Sequence, residues 1–109
     1  MDSLLKIIKE INLPFAYHHF AEGESKAPPF LIYLIKRSDN FSADGRVFFK
    51  INEVNLEVYT DYKDVSLEKR IEDILDKYEI FYEKVETYIE SEKLYEVFYS
   101  FEMKGEYNE

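Results

Sequence analysis

SLEKRIEDILDKYEIFYEKVETYIESEKLYEVFYSFEM, residues 66–103, decides the fold class. Leu67, Ile71, Ile74, Leu75 and Tyr78 sit at i, i+4, i+7, i+8 and i+11, one stripe on one face of a helix of about 66–78. Ser66 or Asp64 can accept the first free backbone N–H groups as N-cap. Between the stripe residues lie Glu68, Lys69, Arg70, Glu72, Asp73, Asp76 and Lys77, which read as a solvated face. The period then changes from 3.6 to 2. Residues 81–89 and 94–103 flank Glu90-Ser91-Glu92-Lys93, a connection of hairpin length. In the last strand Tyr95, Val97, Tyr99 and Phe101 share one parity, and Leu94 and Phe98 take the other beside Glu96, Ser100 and Glu102. Residues 104–109 are expected to fray.

Upstream, Leu4, Leu5, Ile7, Ile8 and Ile11 recur with helical spacing and predict a helix over about 3–12, capped by Asp2 or Ser3 and ended by Asn12 and Pro14. Residues 15–20 read as a short strand, and residues 22–26 as a polar connector stiffened at its exit by Pro28-Pro29. Phe30 to Ile35 is apolar on both parities, as in a strand covered on both sides. Ser38 to Arg46 reads as a polar loop turning at Asp44-Gly45. Val47, Phe49 and Ile51 alternate with polar residues, then Val54, Leu56 and Val58 do so on the other parity. A bulge or strand break is therefore expected near Asn52-Glu53. The sum is one domain spanning 1–109: an α+β two-layer sandwich, with a mainly antiparallel sheet of four to five strands and two helices packed on one face.

Charge and composition narrow the function. The chain carries 14 basic and 23 acidic residues, a formal charge of −9. Residues 1–52 hold seven basic and six acidic side chains, net +1; residues 53–109 hold seven and seventeen, net −10. Such a field repels phosphate backbones and anionic membrane surfaces. No apolar run approaches the ~20 residues that cross a bilayer as a helix. With no cysteine, thiolate chemistry and disulfides are absent.

Candidates for chemistry fall one by one. In a strand, His18 and His19 point to opposite faces and cannot chelate one ion together. The loop 40–45 faintly resembles a calcium loop, but Ile51 stands where the bidentate acid belongs. Glu72 with Asp76, Glu83 with Glu86 and Glu90 with Glu92 read as solvated pairs, without the dry pocket that raises a catalytic carboxyl. The reading therefore has no catalytic residue, no cofactor and no metal, and is not that of an enzyme. Ten Tyr and nine Phe make 17% aromatic content. Tyr33, Tyr59, Tyr82, Tyr88, Tyr95 and Tyr99 cannot all lie under two short helices. Part of this row belongs to the core, and the rest is the candidate surface for another subunit or partner.

The segments Ala27-Pro28-Pro29-Phe30-Leu31-Ile32-Tyr33, Ser38-Asp39-Asn40-Phe41-Ser42-Ala43-Asp44-Gly45, Glu57-Val58-Tyr59-Thr60 and Phe81-Tyr82-Glu83-Lys84 follow one another in an order that resembles the tail-terminator, or tail-completion, proteins of long-tailed bacteriophages and prophages. That resemblance implies a non-catalytic role in the virion, at the junction of head and tail, after assembly in the bacterial host cytoplasm. It implies self-association into a ring, usually hexameric, that caps the tail tube protein and docks the head connector protein, with no membrane and no specific nucleic-acid binding. A small acidic protein-binding module, an inhibitor or nucleic-acid mimic, is the alternative that the charge allows.

Overall fold

A computed structural model describes residues 2–21, 23–24, 26–43 and 46–105. Helix α1 (Asp2–Ile11) buries Leu4, Ile7, Ile8 and Ile11, the spacing that puts four side chains on one stripe. It ends at Asn12, whose φ of 61° is the left-handed turn that asparagine tolerates at a helix C-terminus. Strand β1 (Phe15–Tyr17) follows, then β2 (Phe30–Ala43), β3 (Arg46–Thr60), α2 (Val65–Lys77), β4 (Tyr82–Ile89) and β5 (Leu94–Gly105). The N-cap of α2 is Asp64, whose Oδ1 accepts from the Leu67 backbone N–H at 3.0 Å.

The five strands of the described residues form one sheet in the order β1-β2-β3-β5-β4. β1 runs parallel to β2, and every other pairing is antiparallel. The last strand therefore enters between β3 and β4 and takes a central place. The fold class is α+β, as the change of period from 3.6 to 2 indicates.

One buried cluster joins Leu4, Ile7, Ile8 and Ile11 of α1 and Leu67, Ile71, Ile74 and Leu75 of α2 to Leu31, Val54, Leu56, Val58, Val97, Tyr99 and Phe101. The register places those strand residues opposite one another, on a single parity. Each such aliphatic side chain contributes about 1.5–3 kcal/mol when fully removed from water. Between the helices, the Arg70 guanidinium donates to the Ile11 carbonyl, and Lys77 and Tyr78 both reach Glu10, at 2.6 and 3.0 Å.

Four expectations need correction. β1 stops at Tyr17 rather than at residue 20, because His18 adopts φ 68° and turns the chain out of the strand. Residues 38–43 are not a loop: they pair with residues 46–52 in the β2–β3 ladder. A ladder is made by the backbone, so polar side chains do not end it; the turn expected at 44–45 lies outside the described residues. β3 runs unbroken through Asn52-Glu53. The nearest irregularity lies across from it on β2, between Ile35 and Arg37; at a second step, opposite Phe41 and Ser42, the extra residue is Phe48 of β3. An alternation pattern shows that one residue is extra in a pair, but not which strand carries it. Finally, Lys104 and Gly105 belong to β5 rather than to a frayed tail, and residues 106–109 lie outside the described residues.

Candidate interaction surface

The six tyrosines distribute unevenly. By register, Tyr33, Tyr82, Tyr88, Tyr95 and Tyr99 share the parity of the buried cluster, and Tyr59 stands on the other. Tyr99 is fully buried and belongs to the core. Tyr33 and Tyr82 are half-buried against that cluster, Tyr33 beside Phe15 and Tyr17, Tyr82 edge-on to Tyr99 at 5.4 Å. Tyr88 and Tyr95 meet at 4.8 Å near the β4–β5 hairpin, with Tyr88 exposed. The structure thus brings together Tyr88 with Tyr95 and Tyr82 with Tyr99, and leaves Tyr59 apart on the far face.

That far face carries side chains the sequence reading passed over. Across it, Phe30, Tyr59, Glu96 and Thr87 stand in one row, and Ile32, Glu57, Phe98 and Val85 in the next. Phe30 stacks on Tyr59 with ring centres 4.9 Å apart, and Phe20 meets Phe30 edge-on at 5.5 Å. Ile32 is buried without belonging to the main cluster. The signal was present in Phe30 to Ile35, apolar on both parities: Leu31, Tyr33 and Ile35 turn to the core, and Phe30, Ile32 and Leu34 to this second face.

Tyr59 sits between two acids. Its hydroxyl lies 3.0 Å from Glu57 Oε1 and 2.9 Å from Glu96 Oε2. One hydroxyl has one proton and can donate it to one carboxylate at a time. Burial pushes the Glu57 carboxyl above its ordinary range, and the Glu96 charge pushes it further, against the Tyr59 hydroxyl and His18, which pull it down. Burial and the two acids together push the Tyr59 hydroxyl well above the tyrosine range. The arrangement holds negative charge beside stacked rings in a half-buried place, and suits a cationic group of a partner.

On the opposite parity the chemistry is balanced. Tyr99 donates to Glu72 Oε2 at 2.8 Å. Lys84 bridges Glu68 and Glu72 at 2.7 and 2.8 Å, and Lys63 reaches Glu68 at 2.7 Å and also pairs with Glu86. Burial works to raise the Glu68 carboxyl, but hydrogen bonds from Lys63 and Lys84 outweigh it and hold the group below the ordinary carboxylate range. Two readings of the acids on and around α2 are corrected here. Glu68 is buried rather than on a solvated face, and Glu72 and Glu86 are tied into this network rather than free. The reason is reach: the lysines come from outside α2, and helical spacing cannot show them.

His18 and His19 also differ from the strand argument. With His18 turned out of β1, the two Nδ1 atoms lie 2.9 Å apart, one ring donating to the other. They border a shallow cleft of about 320 Å³ with Phe20, Phe30, Glu57 and Tyr59. Among the described residues, no group of three or more His, Cys, Asp or Glu side chains is placed to hold a metal ion. No helix among the described residues is long and apolar enough to cross a membrane. No protein-family model matches the chain, and no curated protein matches it.

Proposed function

We propose that this chain is a structural protein of the head–tail junction of a long-tailed bacteriophage or prophage, working as a tail terminator does: copies form a ring on the end of the tail tube and offer a docking surface to the head connector. The reading rests first on the order of the quoted sequence segments. The structural observation that supports it is the far sheet face, where stacked Phe30 and Tyr59 stand beside Glu57 and Glu96. Such a surface is wet in the free chain and suited to being covered by a folded partner. The net charge of −10 in residues 53–109 fits a ring whose lumen does not hold passing DNA.

The test is electron microscopy of the purified chain mixed with tail tubes of the phage or prophage that encodes it. Rings capping tube ends are expected, and Glu57→Lys with Glu96→Lys should weaken capping at least tenfold. A chain that never binds tube ends would overturn the reading. The charge of the second half also favours one rival, an acidic module that binds a basic enzyme; it predicts a tight one-to-one complex and no ring.

A further inference from the structure

Among the described residues no strand pairs with the outer edge of β4, and the side chains of that edge are complementary to themselves. β4 ends the strand order, and its residues 83–88 are all exposed. Phe81 at 93%, Val85 at 45% and Tyr88 at 48% are among the large apolar side chains most open to solvent, and all three fall on this one segment. An unpaired edge bearing exposed apolar residues is a template for another strand.

We propose that the occupant is a second copy of the same edge, in an antiparallel pair with Val85 opposite Val85 on the two-fold axis. This goes beyond the head–tail role and does not depend on it. In that register Lys84 of each copy faces Glu86 of the other, Tyr82 faces Tyr88, Glu83 faces Thr87, and Phe81 lies against Ile89. Every exposed apolar side chain of the segment meets an apolar or aromatic one, and every Lys84 meets an acid. Moving the register two residues one way sets Lys84 against Lys84; moving it two residues the other way sets Glu86 against Glu86. Side chains directly opposite in such a pair stand about 4.5–5.5 Å apart, where like charges repel and opposite charges and aromatic pairs attract. Lys84 has a donor to spare, because its ammonium carries three N–H groups and Glu68 and Glu72 occupy two. Glu86 of the other copy then extends the row that Lys63, Glu68 and Lys84 begin. The strand addition is isologous, so it closes at two copies instead of growing into a fibre.

The chain has no cysteine, which makes the register readable by cross-linking. In full-length Val85→Cys the two thiols meet on the axis, within disulfide reach. In Thr87→Cys, on the same face of the same strand, the twin thiols are about 13 Å apart, four residues of strand. Mild oxidation should convert most of the Val85→Cys protein to a covalent dimer while Thr87→Cys stays mostly single. Sedimentation of the unmodified chain should show a concentration-dependent dimer, at least tenfold weakened by Glu86→Lys, which sets Lys against Lys84. Equal linking at 85 and 87, no linking at 85, or a single-chain mass at every concentration would overturn the pairing. Capping of tail tubes is read separately by microscopy, so either idea can fail alone.

Discussion

Tyr99 and Tyr59 each sit beside two glutamates, on opposite faces of the same sheet, and the two trios are built to opposite ends. Around Tyr99, Glu68 and Glu72 are answered by Lys63 and Lys84, and the tyrosine is fully buried. Around Tyr59, Glu57 and Glu96 share one hydroxyl proton, no lysine or arginine among the described residues is seen to answer them, and the ring is half-buried. The first trio is satisfied within the chain and holds α2 to the sheet. The second keeps like charges close in a partly dry place, which disfavours the free chain slightly and rewards a partner that supplies a cation. Burial and neutralisation together separate the two clusters: one is closed within the chain, and the other carries the contact surface we propose.

The difference can be broken most forcefully at the rings. Tyr99→Ala should cost about 3–5 kcal/mol in denaturant unfolding, as large-to-small changes in a packed core do. Tyr59→Ala should cost less than about 2 kcal/mol, since half of its surface is already wet. Equal losses would erase the contrast. Next in size, Glu68→Ala should cost about 1–2 kcal/mol, because it strips an acceptor from two lysines that are themselves partly exposed. Glu57→Gln should instead raise stability at neutral pH, by less than about 1 kcal/mol.

Acid titration sharpens the same contrast by sign. The folded-state pKa of Glu68 is lowered, so its contribution is present above the unfolded carboxyl value of about 4.3 and is lost as pH falls through the folded value. That of Glu57 is raised, so its cost is absent below about 4.3 and grows as pH rises through the folded value. Urea unfolding from pH 3 to pH 7 should therefore show the Glu57→Gln gain disappear in acid, and the Glu68→Ala loss shrink there. The hydroxyls bring the contrast down to single hydrogen bonds. Tyr99→Phe should cost about 1 kcal/mol by removing one of two donors to Glu72, which keeps its pairing with Lys84. Tyr59→Phe should change stability by under about 0.5 kcal/mol.

Much of the fold could be read because its signals are local. The Leu67–Tyr78 stripe placed α2 within a residue of its observed span, and the parity of Val97, Tyr99 and Phe101 identified the buried side of β5. What failed depended on distant partners. Residues 38–43 read as a loop because a strand held by its backbone ladder needs no apolar alternation. Glu68 read as solvated because Lys63 and Lys84 lie outside its helix. His18 and His19 read as diverging because one residue in the left-handed region changed the direction of the chain. The Tyr59 trio needed the register between β3 and β5, which no short window of sequence contains.

That register has a consequence for how the molecule is made. β5 lies inside the sheet, yet it is made last of the described strands, so β3 has no neighbour on that side until residues 94–105 follow. Val54, Leu56 and Val58 wait for Val97, Tyr99 and Phe101, more than forty residues farther on in the case of each directly facing pair except Val58 with Val97. Nascent chains should be most prone to stick together just before Leu94 is released, and a nonsense codon at that point would remove the keystone of the sheet while leaving both helices encoded.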